Sequence, residues 1–326
     1  FMETLISKKD KIFIAGHLGM AGNAILRAFK KKGYENILCF KRSELDLEDI
    51  NQVEKLMYQE KPNIVVLAAA KVGGIMANSQ YPADFILRNL KIQTNLIESS
   101  WRNNVRRFLF LGSSCIYPKF SEQPIREEYL LKGYLEETNE YYALAKIAGI
   151  KLCQALNKQH GFDAICLMPT NLYGPGDNYD LNTSHVLPAL IRKFSEAKKN
   201  QTQEVLCWGD GSPYREFLHC DDLGAATVFV LENVTQKNIN QIKEINTDLI
   251  HINVGTSKEI SIKELAKLIA QNCNYTGNIK WDLSKPNGTH QKRLDTRLIN
   301  DLGWEPQIKL SEGIKMTISD YEKLYF

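Results

Sequence analysis

The chain has 326 residues and a formal net charge of +3 at pH 7, and its seven cysteines include no Cys-x-x-Cys pair. The small charge, with no Lys/Arg block, argues against a nucleic-acid partner, and apolar runs too short for a bilayer predict no membrane partner. Scattered cysteines, and charges from Lys8 to Lys11 that interrupt the N-terminal segment, predict a reducing, cytoplasmic location with no disulfide frame and no metal site.

A glycine-rich turn near the N-terminus follows the first predicted strand, residues 11–15. The turn reads Gly16-x-x-Gly19-x-x-Gly22 and leads into an amphipathic helix over residues 23–32. Glycines at a strand-to-helix turn let the backbone approach a pyrophosphate, which then lies at the positive end of the helix. An ordinary glycine-rich turn is the alternative interpretation.

The end of the second predicted strand, residues 36–40, carries Lys41 and Arg42. A protein that binds NAD usually has an acidic residue here, on the ribose hydroxyl. Two cations instead favour the extra phosphate of NADP, although a solvated basic turn is the alternative. After a helix over 49–60, a strand over 63–67 ends in Ala68-Ala69-Ala70, whose small side chains would let a ribose or adenine ring approach.

The alternation of strands and helices continues to the middle of the chain. The apolar patterns predict a helix over 82–104, a strand over 107–111, a helix over 139–160 and a strand over 163–168. This alternation favours an α/β fold with a doubly wound parallel (Rossmann) sheet and right-handed crossovers.

The second half of the chain is less regular. Its predicted elements are a helix over 185–198, a strand over 204–208, a helix over 221–231 capped by Asp221 or Asp222, a polar loop over 234–248, a strand over 251–254, a helix over 261–271, a strand over 278–281 and a C-terminal helix. We expect a smaller α/β substrate-binding domain over the carboxyl ends of the sheet strands, where open sheets bind ligands. In this division the cofactor domain comprises 1–175, with 216–255 packing back onto it, and the substrate domain comprises 176–215 and 256–326.

Three residue types typical of a carbonyl reductase occur around the predicted helix over 139–160. Ser113 follows the strand over 107–111, and Tyr142 and Lys146 are spaced i, i+4, which places both on one helix face. The charge of Lys146 would lower the pKa of the phenol toward working pH, so that the tyrosine exchanges a proton with a carbonyl oxygen. The serine hydroxyl would hydrogen-bond the same oxygen. The Tyr-x-x-x-Lys spacing alone is weak evidence, because helices carry it by chance.

With these residues placed, the chain resembles the extended short-chain dehydrogenase/reductase family over nearly its whole length. The most specific matching segments are residues 68–75, 112–119, 145–153, 168–175 and 184–190. Within the family, the match is to enzymes that epimerise and then reduce GDP-4-keto-6-deoxymannose with NADPH. The resemblance implies that Ser113, Tyr142 and Lys146 are the reductase triad and that Cys115 and His185 are the epimerase pair.

The resemblance also implies two sets of binding residues. The cofactor set is Gly16, Gly19, Met20, Gly22, Lys41, Arg42, Asp46, Leu47, Ala69, Ala70, Leu111, Tyr142, Lys146, Pro169, Asn171, Leu172 and His185. The substrate set is Asn171, Lys193, Trp208, Arg215, Asn287 and Lys292. The chain departs from the family at Leu18, where an arginine helps to bind the NADP phosphate, and at Asn287, where the family has aspartate.

The implied epimerisation needs a base on one face of the sugar ring and an acid on the other. Cys115 would be the base as a thiolate and His185 the acid. Ser113 and Tyr142 would polarise the ketone and so stabilise both an enolate and an alkoxide. From residue type alone, Cys115 would be a small core residue and His185 a helix cap or core histidine. Only the family motif favours a catalytic pair.

Three functions remain open at this point. The first is the bifunctional epimerase/reductase, and the second is a C4-reductase of a GDP-4-keto-6-deoxyheptose without epimerase activity. The third is a non-catalytic NADP-sensing protein, although such proteins usually lose the tyrosine or the lysine. A sugar 4,6-dehydratase is less favoured, because those relatives have Thr-Asp-Glu where Ser113, Ser114 and Cys115 stand.

Two of the predicted helices, 82–104 and 139–160, carry apolar residues on more than one side. These residues include Ile86, Leu90, Ile97, Ile147 and Leu152. We expect a homodimer in which both helices pair with their symmetry mates as a four-helix bundle, since a two-fold contact is the commonest assembly.

Overall fold

A computed structural model describes residues 4–243, 248–285 and 287–326. The strands, in chain order, are β1 (Ile12–Ala15), β2 (Ile37–Leu38), β3 (Ile64–Leu67), β4 (Arg107–Leu111), β5 (Ala164–Pro169), β6 (Asn171–Tyr173), β7 (Glu204–Trp208), β8 (Tyr214–His219), β9 (His251–Val254), β10 (Glu259–Ser261), β11 (Asn278–Asp282) and β12 (Gln291–Lys292). The helices are α1 (Met20–Lys31), α2 (Ile50–Glu60), α3 (Ile75–Gln80), α4 (Pro82–Arg102), α5 (Glu140–His160), α6 (Val186–Lys199), α7 (Cys220–Asn233), α8 (Gln236–Lys243), α9 (Ile262–Asn272), α10 (Arg297–Asp301) and α11 (Leu310–Tyr325).

The central sheet has six parallel strands in the order β2-β1-β3-β4-β5-β9. The strand order reverses between β1 and β3, because the chain goes outward to β2 and then crosses back to β3. A crevice forms outside the carboxyl ends of strands at such a reversal, and open α/β sheets bind ligands there. The doubly wound parallel sheet predicted from the sequence is confirmed.

Helices cover both faces of the central sheet. On one face, α1 and α7 contribute Phe29 and Leu223 to a core shared with β1, β3 and β9. On the other face, α2, α4 and α5 contribute Met57, Leu96 and Ile150. The sheet strands are apolar throughout because both of their faces are buried in this way.

A third hydrophobic cluster lies between α6, α9 and α11 and includes Phe194, Leu265 and Ile314. Beside it are two small sheets, one of β10, β8 and β12 with β6 on β8, the other of β11 and β7. Strand β8 carries Arg215, and β12 carries Lys292 in register with it. The domain boundaries at 175, 215 and 255 stay a prediction.

The structure differs from the sequence-based elements around α7 and α8. His219 caps α7, because its Nδ1 accepts the Asp221 N–H at 3.2 Å. The prediction of Asp221 or Asp222 as cap is therefore wrong, and Asp222 instead accepts two backbone N–H groups of residues 307 and 308. Helix α8 occupies part of the predicted loop over 234–248, because Ile239 is buried against the sheet core. Residues 244–247 of that loop lie outside the described residues.

Helices α4 and α5 pack against each other within the chain. Ile97 and Ile147 are buried in the chain's own core, and the homodimer stays a prediction. The large exposed apolar side chains of these helices are Leu87, Tyr141 and Leu144. Among the described helices, none combines the length and the apolar character that crossing a bilayer requires.

Candidate active site

The glycine turn follows β1 at the carboxyl edge of the sheet. Gly16 has a φ of +94°, and a Cβ on it would lie 2.6 Å from the Ala69 nitrogen. A Cβ on Gly22 would lie 2.0 Å from the Gly16 oxygen, so neither position tolerates a side chain. Helix α1 begins at Met20, and its N-cap Gly19 has no side chain to bond the first N–H groups. This cradle fits the pyrophosphate of a dinucleotide.

Further candidate cofactor residues lie along the same edge. Ala69 and Ala70 follow β3, Leu111 ends β4 and Pro169 ends β5. Asn171 and Leu172 belong to β6, and Asp46 and Leu47 precede α2. Because parallel neighbouring strands end at one edge of a sheet, the fold brings Ala69, Leu111 and Pro169 to the side of the glycine turn, whereas β6 pairs with β8 outside this sheet.

The candidate phosphate-binding cations lie at the end of β2. Arg42 Nη2 is 2.9 Å from Glu48 Oε1 and 3.6 Å from Asp46 Oδ2. Arg88 Nε from α4 is 2.8 Å from the same Glu48 oxygen. A phosphate would therefore compete with Glu48 for Arg42. Leu18 is 66% exposed in the glycine turn and offers no charge.

The candidate reductase residues meet at the amino end of α5. Lys146 is buried, and its Nζ donates to the Leu111 carbonyl oxygen at 2.9 Å. Burial lowers the pKa of Lys146 to about 7. Burial also raises the pKa of Tyr142 above its ordinary value, the nearby Cys115 adds to this, and a hydrogen bond with Ser113 opposes it.

The sequence analysis expected Lys146 to lower the pKa of Tyr142, and in the chain alone this is wrong. The ammonium is directed at the Leu111 carbonyl and lies 5.8 Å from the centroid of the phenol ring. Desolvation of the phenol therefore outweighs the charge of a lysine whose own pKa is lowered.

Cys115 lies in a 3-10 turn after β4 and is half-buried. Its Sγ is 3.6 Å from Lys292 Nζ and 3.4 Å from Asn139 Nδ2. Its own N–H donates to Ser113 Oγ at 3.2 Å, which ties the two candidate catalytic residues into one turn. Sequence reasoning missed Asn139, because it is the N-cap residue of α5 and its contact with Cys115 joins residues 24 positions apart in the chain.

His185 is the N-cap residue of α6 and is open to solvent. Desolvation by neighbouring protein atoms lowers the pKa of the His185 imidazole, and the charge of Lys292 lowers that pKa further. The Lys292 ammonium thus acts electrostatically on His185 and contacts Cys115 Sγ, so a single ammonium group interacts with both candidate epimerase residues.

The candidate substrate residues of α6, β7 and β8 lie beyond this centre. Lys193 Nζ donates to the Leu206 carbonyl at 2.8 Å and lies 5.5 Å from the centroid of the Trp208 ring. Trp208 is exposed, so one face of its indole can receive a flat ligand group. Burial lowers the pKa of Arg215, and the charge of Glu136 opposes this.

Two further candidate substrate residues have structural partners. Asn287 Oδ1 accepts the Asp210 N–H at 2.9 Å and so fixes the turn after β7. Asn171 Nδ2 donates to the Glu216 carbonyl oxygen at 2.8 Å. The side-chain oxygen of Asn287 thus supports the backbone. An aspartate at this position would supply an equivalent oxygen.

One group of described residues has the composition of an ion site, namely His219, Cys220 and Asp221. Two of its donor atoms are engaged, since His219 Nδ1 accepts the Asp221 N–H and Arg27 Nη2 lies 2.5 Å from Asp221 Oδ1, while His219 Nε2 is buried without a hydrogen-bond partner. The guanidinium supplies the positive charge that an ion would bring, so these residues do not fit a metal.

The fold and the glycine turn define a Rossmann protein of the extended short-chain dehydrogenase/reductase class. A family model described as "NAD dependent epimerase/dehydratase family" matches residues 12–255. The chain therefore belongs to this family, and within it to the family of the GDP-L-fucose synthases, as two curated relatives show.

The first of these relatives is GDP-L-fucose synthase 1 of Arabidopsis thaliana, 50% identical over 322 residues, which cover 99% of this chain and 96% of the relative. The second is the GDP-L-fucose synthase of Escherichia coli K12, 48% identical over 309 residues and 95% of each chain. A solved structure of a GDP-mannoheptose C4 reductase from Campylobacter jejuni with NADP bound is also similar. It is 37% identical, with a TM-score of 0.86 over 97% of this chain and 99% of that one.

Proposed function

We propose that this protein is an NADPH-dependent epimerase/reductase that converts GDP-4-keto-6-deoxymannose to GDP-L-fucose by 3,5-epimerisation and 4-keto reduction. The observation that carries the proposal is that the thiol of Cys115 and the phenol of Tyr142 share one centre. Ser113 Oγ accepts the Cys115 N–H at 3.2 Å. Burial raises the pKa of the Tyr142 phenol, and the same Ser113 hydroxyl lowers it. A ketone bound there meets a candidate carbon base and a candidate proton donor together.

The glycine cradle and the residues along the sheet edge hold the cofactor in this proposal. Lys41 and Arg42 bind its extra phosphate, and the small side chains of Ala69 and Ala70 admit its adenosine part. NADPH supplies a hydride when it is bound.

In the reduction, Tyr142 gives its proton to the oxygen on carbon 4 of the sugar, and Ser113 hydrogen-bonds the same oxygen. The raised pKa of Tyr142 keeps the phenol protonated at neutral pH, as an acid requires. Lys146 lies beside the phenol, with its Nζ 5.8 Å from the ring centroid and donating to the Leu111 carbonyl oxygen.

In the epimerisation, Cys115 removes a proton from a carbon next to the ketone, and His185 returns one to the opposite face. The Lys292 ammonium and the Asn139 amide both lie within reach of the sulfur and favour its thiolate. Ser113 and Tyr142 stabilise the enolate oxygen with the same donors that serve the reduction.

The nucleotide part of the substrate occupies the surface beyond this centre. Arg215 and Lys193 bind the diphosphate, since guanidinium and ammonium groups suit phosphate oxygens. Trp208 stacks on a ring of the ligand, and Asn171, Asn287 and Lys292 contact its polar groups.

The protein acts in the cytoplasm as a homodimer in this proposal. The contact is a bundle of α4 and α5 from both copies through Leu87, Tyr141 and Leu144, which are exposed in the single chain. Residues 1–175 and 216–255 form the cofactor domain, and 176–215 with 256–326 form the substrate domain.

Product analysis tests the function. We expect GDP-4-keto-6-deoxymannose and NADPH to yield one GDP-L-fucose for each NADPH oxidised, identified by NMR spectroscopy. The similarity to a GDP-mannoheptose C4 reductase favours a second candidate, reduction of a GDP-4-keto-6-deoxyheptose without epimerisation. NADPH oxidation with the heptose but not with the hexose would favour the second candidate, and oxidation with neither would contradict both.

A further inference from the structure

The short segment that follows Lys292 is fixed by hydrogen bonds at each of its main-chain polar groups. The N–H groups of Arg293, Leu294 and Asp295 donate to Gln123 Oε1 (2.8 Å), Glu216 Oε2 (2.7 Å) and Ile125 O (2.8 Å), and their carbonyls accept from Ile125 N (2.7 Å), Ser257 Oγ (3.0 Å) and Asn253 Nδ2 (3.1 Å). Because the backbone of this segment is held, the position of Lys292 immediately before it is restricted as well.

Glu216 supplies the carboxyl partner in this arrangement. Burial raises its pKa to about 7, and the hydrogen bonds from backbone N–H groups oppose that rise. Its side chain is 0% exposed on β8, and its Oε1 accepts the N–H groups of Thr256 at 2.6 Å and Ser257 at 2.8 Å. Its Oε2 accepts the Leu294 N–H. A Cβ on Gly255 would lie 2.1 Å from Oε1, so the glycine leaves room for the carboxylate. Hydrogen bonds to a carboxylate are stronger than neutral ones, and three converge here.

This carboxylate joins the strands that carry two candidate functional cations. Glu216 follows Arg215 on β8, and β12 pairs with β8 so that Lys292 lies opposite Arg215. Two residues after Lys292, the Leu294 N–H is bonded to Glu216. The Lys292 ammonium then reaches Cys115 Sγ, 177 residues away in the chain, at 3.6 Å.

We propose that Glu216 is a positioning residue for the epimerase reaction: its carboxylate fixes the segment after Lys292 and thereby holds the Lys292 ammonium at the sulfur of Cys115. The role of Cys115 as base rests on the proposed function, whereas the effect of Glu216 on the thiol does not. A cation beside the sulfur favours the thiolate, which is the reactive form of a cysteine.

Thiol alkylation tests this link without substrate or cofactor. Of the seven cysteines only Cys39 and Cys115 are not fully buried, so iodoacetamide labelling in a Cys39→Ser background, read by mass spectrometry, reports Cys115. We expect Glu216→Gln to slow labelling at pH 7 by roughly threefold to tenfold, because the Lys292 ammonium is no longer held at the sulfur. Lys292→Met should give the same change.

Asp222→Asn is the matched control. Asp222 is a second buried carboxylate that accepts two backbone N–H groups, at 3.0 and 2.9 Å, but on α7. The Asp222→Asn protein should lose about as much thermal stability as the Glu216→Gln protein. Its Cys115 should be labelled at the rate of the unmodified protein. Equal labelling rates of the Glu216→Gln and Asp222→Asn proteins would overturn the proposal.

A second variant keeps the test valid if Glu216→Gln does not fold. Glu216→Asp retains the charge and withdraws it by one methylene, so labelling at pH 7 should fall by a smaller factor, and an unchanged rate would contradict the proposal. Deuterium uptake by GDP-4-keto-6-deoxymannose should slow in parallel. If thiol labelling slows and deuterium uptake by the sugar does not, Glu216 still positions Lys292. That outcome would contradict the proposed role of Cys115 as the base.

Discussion

Lys146 is buried and Tyr142 half-buried on one face of α5, and burial acts on their two pKa values in opposite directions. Removing water disfavours the charged form of either group, so the lysine loses its proton more easily and the phenol keeps its own. The phenol is therefore protonated at neutral pH, which is the form from which ketone reduction starts.

The preference for NADPH over NADH depends on Arg42. We expect Arg42→Ala to weaken NADPH binding by about 1 kcal/mol, because the guanidinium is exposed and partly neutralised by Glu48. NADH binding, without the extra phosphate, should barely change. Glu48→Gln removes the competing carboxylate and should strengthen NADPH binding. Fluorescence titration of both cofactors measures these effects, and equal affinities of the unmodified protein for NADPH and NADH would refute the assignment.

His251 makes stability depend on pH. Burial lowers its pKa from the ordinary value of 6.5 to about 4, and its Nε2 bonds the Glu127 carbonyl oxygen at 2.9 Å. Between pH 6.5 and 4, His251 carries a proton in the unfolded chain and not in the folded chain. The contribution of His251 to the free energy of unfolding is therefore full at pH values well above 6.5, and it falls as the pH drops below 6.5. The loss between pH 7.5 and 5 should be about 2 kcal/mol.

Urea unfolding of the His251→Gln protein measures this contribution. The amide retains a donor and cannot titrate, so the variant should lack that share of the acid-side loss. Exposed His290→Gln serves as the control and should follow the unmodified protein. If all three proteins lose stability equally on acidification, His251 is not the titrating group.

At the scale of elements, the parallel sheet could be predicted because its strands are short apolar runs between helical patterns. Strand β8 could not, because Arg215 and Glu216 interrupt its apolar pattern. Glu216 is nevertheless fully buried, since its carboxylate holds backbone N–H groups from two distant segments. Helix α8 was missed for a similar reason, because a single buried residue, Ile239, anchors an otherwise polar stretch.

The candidate site likewise has a part that could be predicted from the sequence and a part that could not. Tyr142 and Lys146 could be predicted from spacing, because helical periodicity is local. The contact of Lys292 with Cys115 joins distant parts of the chain, and no local pattern encodes it. The apolar residues on several sides of α4 and α5 have a related explanation, since a helix can bury such residues within its own chain, as it does Ile97 and Ile147.

The glycine turn gives a prediction at this scale. A Cβ at Gly22 meets the Gly16 oxygen at 2.0 Å, whereas one at Gly19 lies 3.6 Å from it, an ordinary contact. Gly22→Ala should therefore lower the melting temperature by several degrees. Gly19→Ala should keep the melting temperature and lose NADPH affinity, because its methyl group occupies the cradle. Unchanged NADPH affinity of the Gly19→Ala protein would show that the cradle is not the cofactor site.

For the whole molecule, the central prediction is assembly as a dimer. Light scattering at micromolar concentration should give about twice the chain mass of 37.2 kDa. Leu144→Glu places a charge on the exposed face of α5, where Leu144 is 43% exposed, and should yield monomers. Leu324→Glu, on the exposed face of α11, is the control and should remain dimeric. A monomeric unmodified protein would refute the four-helix bundle.

The bifunctional centre is tested most directly by proton exchange in deuterated water. With GDP-4-keto-6-deoxymannose, the unmodified protein should introduce deuterium next to the ketone and oxidise NADPH. Cys115→Ser should lose the exchange, since a hydroxyl is too weak a base, and should still reduce a ketone that is already epimerised. Tyr142→Phe should do the opposite, losing NADPH oxidation by roughly 10²-fold or more. An unmodified protein that oxidises NADPH and introduces no deuterium would contradict the account.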